Sequence, residues 1–237
     1  MNNYLILLAG GVGARMKSDV PKQFLCIKGK PVIVYTIETF SKNPLIDSIV
    51  VVCVKGWIEH LKKLIDEYSL SKVRWVIEGG STGHDSIRNG VFFLKDKISL
   101  DDYVVVHDAV RPIVPQYIIN DLLYVAHKSG NAASSIECHP PIVFTNDNVS
   151  GIKDIDREHV VLTAAPQAFI YNLVLTLYMK AEEENMHNFT YTSSLLIHYG
   201  VPVYFSLGTT SNIKITKKED LPLFEALLTI PEERLID

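Results

Sequence analysis

Cysteine is scarce in this chain. Only Cys26, Cys53 and Cys138 occur among 237 residues; no CxxC pair exists, and no cysteine stands at zinc-ligand spacing from a histidine. That excludes a zinc ribbon and a disulfide-stapled scaffold, and scattered thiols fit a reducing, cytoplasmic setting. Cys53 lies inside the apolar run SIVVVCV and reads as a small buried hydrophobe. Positive charge is not in excess either. Lys and Arg number 23 against 27 Asp and Glu, a net charge of −4, so there is no basic face of the kind that grips nucleic acid. An anionic ligand would need a local cluster of cations. Long apolar runs are missing too. The opening segment MNNYLILLAGGVG has no basic leader region and is too short to span a bilayer. It is expected to be a strand, with no membrane partner.

What is present is an alternation. Continuous apolar runs at Tyr4–Ala9, Ser48–Val54, Val73–Ile77, Tyr103–Val106 and Ala132–Ile136 read as strands buried on both faces. Between them Val32–Phe40, Trp57–Tyr68, Asp85–Leu94 and Gln116–His127 have helical spacing. Strands separated by helices of this size imply βαβ crossovers and a mostly parallel sheet. The expected fold is therefore α/β, a Rossmann-like three-layer sandwich formed by one domain over residues 1–237. Residues 137–166 break the rhythm with Pro140, Pro141, Asn146–Asp147–Asn148 and Gly151, and read as an extended arm standing off the sheet. Helices near Ile170–Glu184 and Ser193–His198, a strand at Val201–Ser206 and a helix at Lys218–Leu228 complete the chain.

Open parallel sheets bind ligands at the carboxyl ends of their strands. Three such places carry unusual residues: Gly10–Gly13, Gly79–Ser86 and Asp108–Arg111. The first lies in LAGGVGARM, whose exposed backbone N–H groups suit phosphates. It lacks the Gly-Lys-Ser/Thr of a Walker A loop, and Met16 stands where a dinucleotide fingerprint would end. Arg15 follows two residues later, and Lys22 lies in PKQFL behind Pro21. Together the two cations suit a triphosphate and the charge that develops in phosphoryl transfer. Each feature also has a plainer reading. A glycine turn is often only a turn, single cations are mostly solvated, Asp108 can cap the next turn, and Ser86 can cap a helix.

The ordered set L-A-G-G-x-G-x-R-M, P-K-Q-F-L, GGSTGHDSIRNG at 79–90, VVVHDAVRP at 104–112, DREHV at 156–160, APQAF at 165–169 and NIKIT at 212–216 resembles the cytidylyltransferases that activate 2-C-methylerythritol 4-phosphate or ribitol 5-phosphate. The resemblance covers nearly the whole chain. It implies transfer of CMP from CTP to a polyol phosphate with release of pyrophosphate. It also implies that Arg15, Lys22, Arg157 and Lys214 act catalytically. The nucleotide would lie on Leu8, Ala9, Gly10, Gly11, Val12, Gly13, Gly80, Ser81, Ser86 and Ala109. Arg111, Arg157, Thr192 and Lys214 would hold the acceptor, and Asp108 would hold Mg²⁺. In the family the arm crosses a two-fold axis, so a homodimer with exchanged arms is implied, with Arg157 acting in the neighbouring site.

The chain departs from the family at substrate and arm positions. Gly83 and His84 stand where an Arg is usual, Ala165 replaces a Thr, Thr192–Ser193–Ser194 lacks the usual acidic group, and Pro140–Pro141 replaces Asp-Thr. The expected acceptor is ribitol 5-phosphate or a related pentitol phosphate. Methylerythritol phosphate, as in isoprenoid synthesis, is the alternative. A catalytically silent nucleotide-binding relative and a dinucleotide-dependent oxidoreductase are the competing classes.

Overall fold

The computed structural model describes residues 1–11 and 20–235. The elements in chain order are β1 (Asn3–Ala9), a short 3₁₀ turn (Lys22–Phe24), β2 (Cys26–Ile27), β3 (Lys30–Pro31), α1 (Val32–Lys42), β4 (Ser48–Cys53), α2 (Ile58–Glu67), β5 (Val73–Glu78), α3 (Gly83–Phe93), β6 (Tyr103–Asp108), α4 (Gln116–Ser129), β7 (Asn131–Glu137), β8 (Ile142–Phe144), β9 (Lys153–Ile155), β10 (Val161–Ile170), α5 (Tyr171–Glu183), α6 (Thr192–His198), β11 (Phe205–Leu207) and α7 (Asp220–Leu227). Seven strands form one sheet in the order β11-β7-β10-β6-β1-β4-β5. Every neighbouring pair is parallel except those made by β10, which runs antiparallel to both β6 and β7.

The apolar runs bury both sheet faces, as continuous hydrophobic strands must. In β1, Leu5, Leu7 and Ala9 enter a core with α1, α2 and α4, while Tyr4 and Ile6 enter a second core with α3, α5 and α6. The two-residue period of the strand sends alternate side chains to opposite faces. A smaller third cluster joins Val32, Val110, Ile113, Ile215 and Phe224, and ties the C-terminal helix α7 to the end of β6. No helix among the described residues is long and apolar enough to cross a membrane.

Several features differ from the pattern read along the chain; the strand expected at Val201–Ser206 is confined to Phe205–Leu207. Residues Val161–Pro166, inside the stretch expected to stand off the sheet, form the first part of β10. The Ala-Ala-Pro interruption hides this strand, and its pairing with β7 shifts register between Ala164 and Gln167, the kind of irregularity at which a sheet tolerates proline. The projecting part is the small β8–β9 hairpin, paired only with itself. Helix α3 also begins at Gly83, ahead of the expected Asp85. Its cap is Thr82, whose hydroxyl accepts from the Asp85 N–H in a capping box.

Register sets the site. Leu8 lies opposite Asp108, Ala9 opposite Cys53, and Cys53 opposite Glu78. The carboxyl ends of β1, β4, β5 and β6 are therefore level along one sheet edge, where open α/β sheets take their ligands.

Candidate active site

At that edge lies a cavity of about 580 Å³ lined by Leu8, Ala9, Gly10, Gly11, Lys22, Gly79–Gly83, Ser86, Asp108 and Lys214, among others. A second cavity of about 120 Å³ adjoins it, with Ala165, Gln167 and Thr190–Thr192 on its far side. Leu8, Gly83, Asp108 and Lys214 line both. Val12, Gly13 and Arg15, named above as nucleotide or catalytic residues, lie outside the described residues.

The glycine turn is held from beneath. The Gln23 side-chain amide, 1% exposed, donates to the carbonyls of Ala9 at 2.7 Å and Gly11 at 3.0 Å. Gln23 was not singled out from the sequence, although it sits in PKQFL; its partners are 12 and 14 residues away. Across the cavity, the Gly79 N–H donates to the Cys53 carbonyl, which carries the chain from β5 into the turn beside β4. A Cβ on Gly79 would stand 3.2 Å from the Gly10 Cα, so the two glycine segments approach more closely than side chains would allow.

The Ser86 hydroxyl accepts from the Gly80 N–H at 3.1 Å and donates to the Thr82 carbonyl at 2.9 Å. Ser86 thus braces the turn from the first helical turn, and the capping role belongs to Thr82. The Asp85 carboxylate takes the Ser81 hydroxyl at 2.6 Å and the Thr82 N–H at 3.1 Å. The Ser81 hydroxyl bond first, then the Thr82 contacts and Arg88, hold the Asp85 pKa below the usual carboxylate value against a smaller opposing effect of burial.

The wall shared by the two cavities is ionic. Lys214 Nζ lies 3.1 Å from both oxygens of Asp108, and Arg111 Nε lies 3.0 Å from Oδ2. Arg111 Nη1 donates to the Asn212 carbonyl at 2.7 Å, and the Asn212 side chain donates to the Ala165 carbonyl at 2.6 Å. Burial opposes the Asp108 charge, but Lys214 and then Arg111 outweigh it and hold the pKa below the ordinary value. Asp108 is therefore ionised at neutral pH. Arg111 lines neither cavity and reaches the site through Asp108. Burial pushes the neighbouring His107 down to about 4, so its ring is neutral.

Other expected residues land differently. Ala109 is fully buried and lines neither cavity; its N–H donates to the Leu8 carbonyl. Thr192 lines the smaller cavity, and its hydroxyl is 3.2 Å from that of Tyr178. Gln167 and Ser193 bond to each other twice, at 3.1 and 3.2 Å, and fix the start of α6 against β10. Arg157 sits in a 3₁₀ turn after β9, lines neither cavity of its own chain, and donates to the His139 carbonyl at 2.6 Å.

No group of three or more His, Cys, Asp or Glu able to hold a metal exists among the described residues. Asp108 offers an ionised carboxylate on the wall of both cavities, and Glu78 lines the larger one as well. One carboxylate with phosphate oxygens completing the shell is a donor set Mg²⁺ accepts; Asp108 Oδ2 takes both Lys214 and Arg111, but Oδ1 takes Lys214 alone and keeps a lone pair. The residue fits the ion.

A family model described as 2-C-methyl-D-erythritol 4-phosphate cytidylyltransferase (IspD) matches residues 4–230. The chain belongs to this cytidylyltransferase family. Among its relatives, a ribitol-5-phosphate cytidylyltransferase of Lacticaseibacillus paracasei is 40% identical, covering 94% of this chain and 96% of that protein. A 2-C-methyl-D-erythritol 4-phosphate cytidylyltransferase of Clostridium botulinum is 38% identical, covering 95% and 97%. The fold matches that of a 4-diphosphocytidyl-2C-methyl-D-erythritol synthase from Anaerococcus prevotii with a TM-score of 0.81, 24% identity, and coverage of 97% and 96%.

Proposed function

We propose that this protein transfers CMP from CTP to D-ribitol 5-phosphate, giving CDP-ribitol and pyrophosphate. The observation that carries the reading is the Asp108–Lys214 pair on the wall common to a large and a small cavity. A nucleotide in the first and a phosphate monoester in the second would meet there. The acceptor is chosen by the relatives: those at 39–40% identity are named ribitol-5-phosphate cytidylyltransferases.

In the reaction a phosphate oxygen of the acceptor attacks the α-phosphorus of CTP. A P–O bond forms, the bond from the α-phosphorus to the bridging oxygen breaks, and pyrophosphate leaves. The second ionisation of a phosphate monoester lies near pH ~6, so the nucleophile is already charged at neutral pH and needs no general base. Catalysis then rests on positioning and charge neutralisation. Lys22 and Arg15 would hold the triphosphate, and Lys214 would orient the acceptor phosphate. Asp108 would hold Mg²⁺, which when bound neutralises phosphate charge. The turn at Gly80 and Ser81 would take the cytosine and ribose.

The protein is read as one domain whose arm, the β8–β9 hairpin within residues 137–166, binds a second copy. Val143, Phe144, Val149 and Ile152 on the hairpin are each at least half exposed. A cluster of this kind calls for a cover. Arg157 lies on the same projection, and a partner's acceptor site would give it a role that its own cavities do not. Purified protein with CTP, Mg²⁺ and either ribitol 5-phosphate or methylerythritol 4-phosphate should release pyrophosphate faster with ribitol 5-phosphate and yield CDP-ribitol by mass spectrometry. Preference for methylerythritol 4-phosphate would move the protein to the other branch, and no release with any polyol phosphate would refute the reading.

A further inference from the structure

The turn that follows β6 has a donor within reach of every carbonyl. The Asp108 carbonyl accepts from the Arg111 N–H at 3.1 Å, and the Val110 carbonyl accepts from the Ile215 N–H at 2.9 Å. Side chains hold the other three. The Thr36 hydroxyl donates to the Ala109 carbonyl at 2.8 Å, and His107 Nε2 donates to the Arg111 carbonyl at 2.9 Å. The Thr39 hydroxyl lies 3.1 Å from the Pro112 carbonyl and 3.0 Å from its own helix carbonyl at Tyr35. Backbone carbonyls need partners when buried, and here the four from Asp108 to Arg111 are all bonded, while Thr39 shares its one hydrogen between Pro112 and its own helix.

His107 is the least expected of these pins. Its ring is fully buried and packs on Phe40 with centroids 4.7 Å apart. A carbonyl can only accept, so Nε2 carries the hydrogen and Nδ1 is a bare acceptor. That Nδ1 is buried and has no hydrogen-bond partner. The side chain thus makes one bond and forgoes the other. The bond it makes closes the loop from the strand to Arg111, the residue whose guanidinium sits on Asp108 Oδ2.

We propose that His107, together with Thr36 of α1, is a positioning residue: the two clamp the turn so that Arg111 and the Asp108 carboxylate hold a fixed orientation towards the nucleotide phosphates. Neither side chain lines the larger cavity, Thr36 lines neither, and His107 lines only the smaller one. The clamp acts by denying the turn alternative conformations in which Asp108 swings away from the wall it shares with Lys214. This inference rests on the proposed role of Asp108 and extends it to residues behind the larger cavity.

The test uses the full chain with His107→Phe, which keeps the aromatic packing and removes the donor; His107→Gln, whose amide reaches a similar position; and Thr36→Val, which keeps the volume and removes the hydroxyl. Wild-type pyrophosphate release is measured first; its absence with every acceptor fails the proposed function, while binding still tests the clamp. By analogy with partners that orient metal-binding carboxylates, His107→Phe and Thr36→Val should each lose about 10–100-fold in kcat and in calorimetric affinity for CTP with Mg²⁺. Affinity for CTP without Mg²⁺ should stay at the wild-type value, and His107→Gln should recover most of the loss. A merely structural role would lower Tm and leave these ratios unchanged. Wild-type kcat and Mg²⁺-dependent affinity in folded His107→Phe overturn the proposal, as does His107→Gln no better than His107→Phe at equal Tm. If His107→Phe does not fold, wild-type values in Thr36→Val overturn it.

Discussion

Gly80→Ala is the smallest change that should damage the nucleotide turn. A Cβ built on Gly80 falls 2.1 Å from the Asp85 Cβ and 2.9 Å from its backbone carbonyl carbon. Backbone cannot rotate away as a side-chain tip can, so the turn and the first turn of α3 must separate. Separation strains the Asp85 bonds to Ser81 and Thr82 and the return bond from Thr82. A lost helix cap and an overpacked contact together cost about 2–4 kcal/mol. In a chain of this length that lowers Tm by roughly 5–15 °C. Gly83, three residues on, is the control. Its φ is not left-handed, and an added Cβ meets nothing within 4 Å among the described residues. Gly83→Ala should change stability by less than about 1 kcal/mol, in the favourable direction. Differential scanning calorimetry with and without CTP and Mg²⁺ reads both variants. Gly80→Ala at wild-type Tm with wild-type stabilisation by CTP would refute the claim that this glycine exists for close approach to the capping box.

Lys22→Ala and Arg15→Ala should each lower kcat about 10²–10³-fold, the usual loss on removing one group that stabilises developing charge; near-normal steady-state pyrophosphate release would remove them from the mechanism. The Asp108 pKa lies below its ordinary 3.8, so its ion pairs stabilise the fold above that ordinary value and are lost as pH falls through the depressed one. The Tm gap between wild type and Asp108→Asn should therefore be constant near pH 7 and shrink below pH ~4; a gap unchanged down to acid unfolding would contradict the ion pairing. Arg157→Ala should raise the KM for the acceptor with little change in CTP affinity. Mixing it with Lys22→Ala protomers should restore part of the activity if arms are exchanged, and confirmed heterodimers without rescue would place Arg157 in its own site or none.

Much of the site was legible because strand ends are. Glycines after β1, the Gly79–Ser86 turn and Asp108 stand directly behind apolar runs, and parallel pairing brings such ends level whatever the details of packing. The helpers were not legible. Gln23 acts through its amide on two carbonyls of the glycine turn, and nothing in PKQFL distinguishes that from an exposed glutamine. Thr192 was expected to face the acceptor and does line the smaller cavity, but the partner of its hydroxyl, Tyr178 on α5, is not a property of its neighbours in sequence. Strand β10 was hidden because Ala-Ala-Pro has neither the alternation nor the branched residues that mark strands.

The sequence by itself determined the α/β alternation, the cation-bearing glycine turn and the family, since hydrophobic period and motif spacing are local quantities written into neighbouring residues. Only the tertiary structure decided that one antiparallel strand divides the sheet, that Asp108 is gripped by Lys214 across 106 positions and by Arg111 at three, and that two cavities share that wall. Those facts depend on which distant segments end at the same sheet edge, and the free energy that selects them is burial summed over the whole core rather than any short stretch of chain.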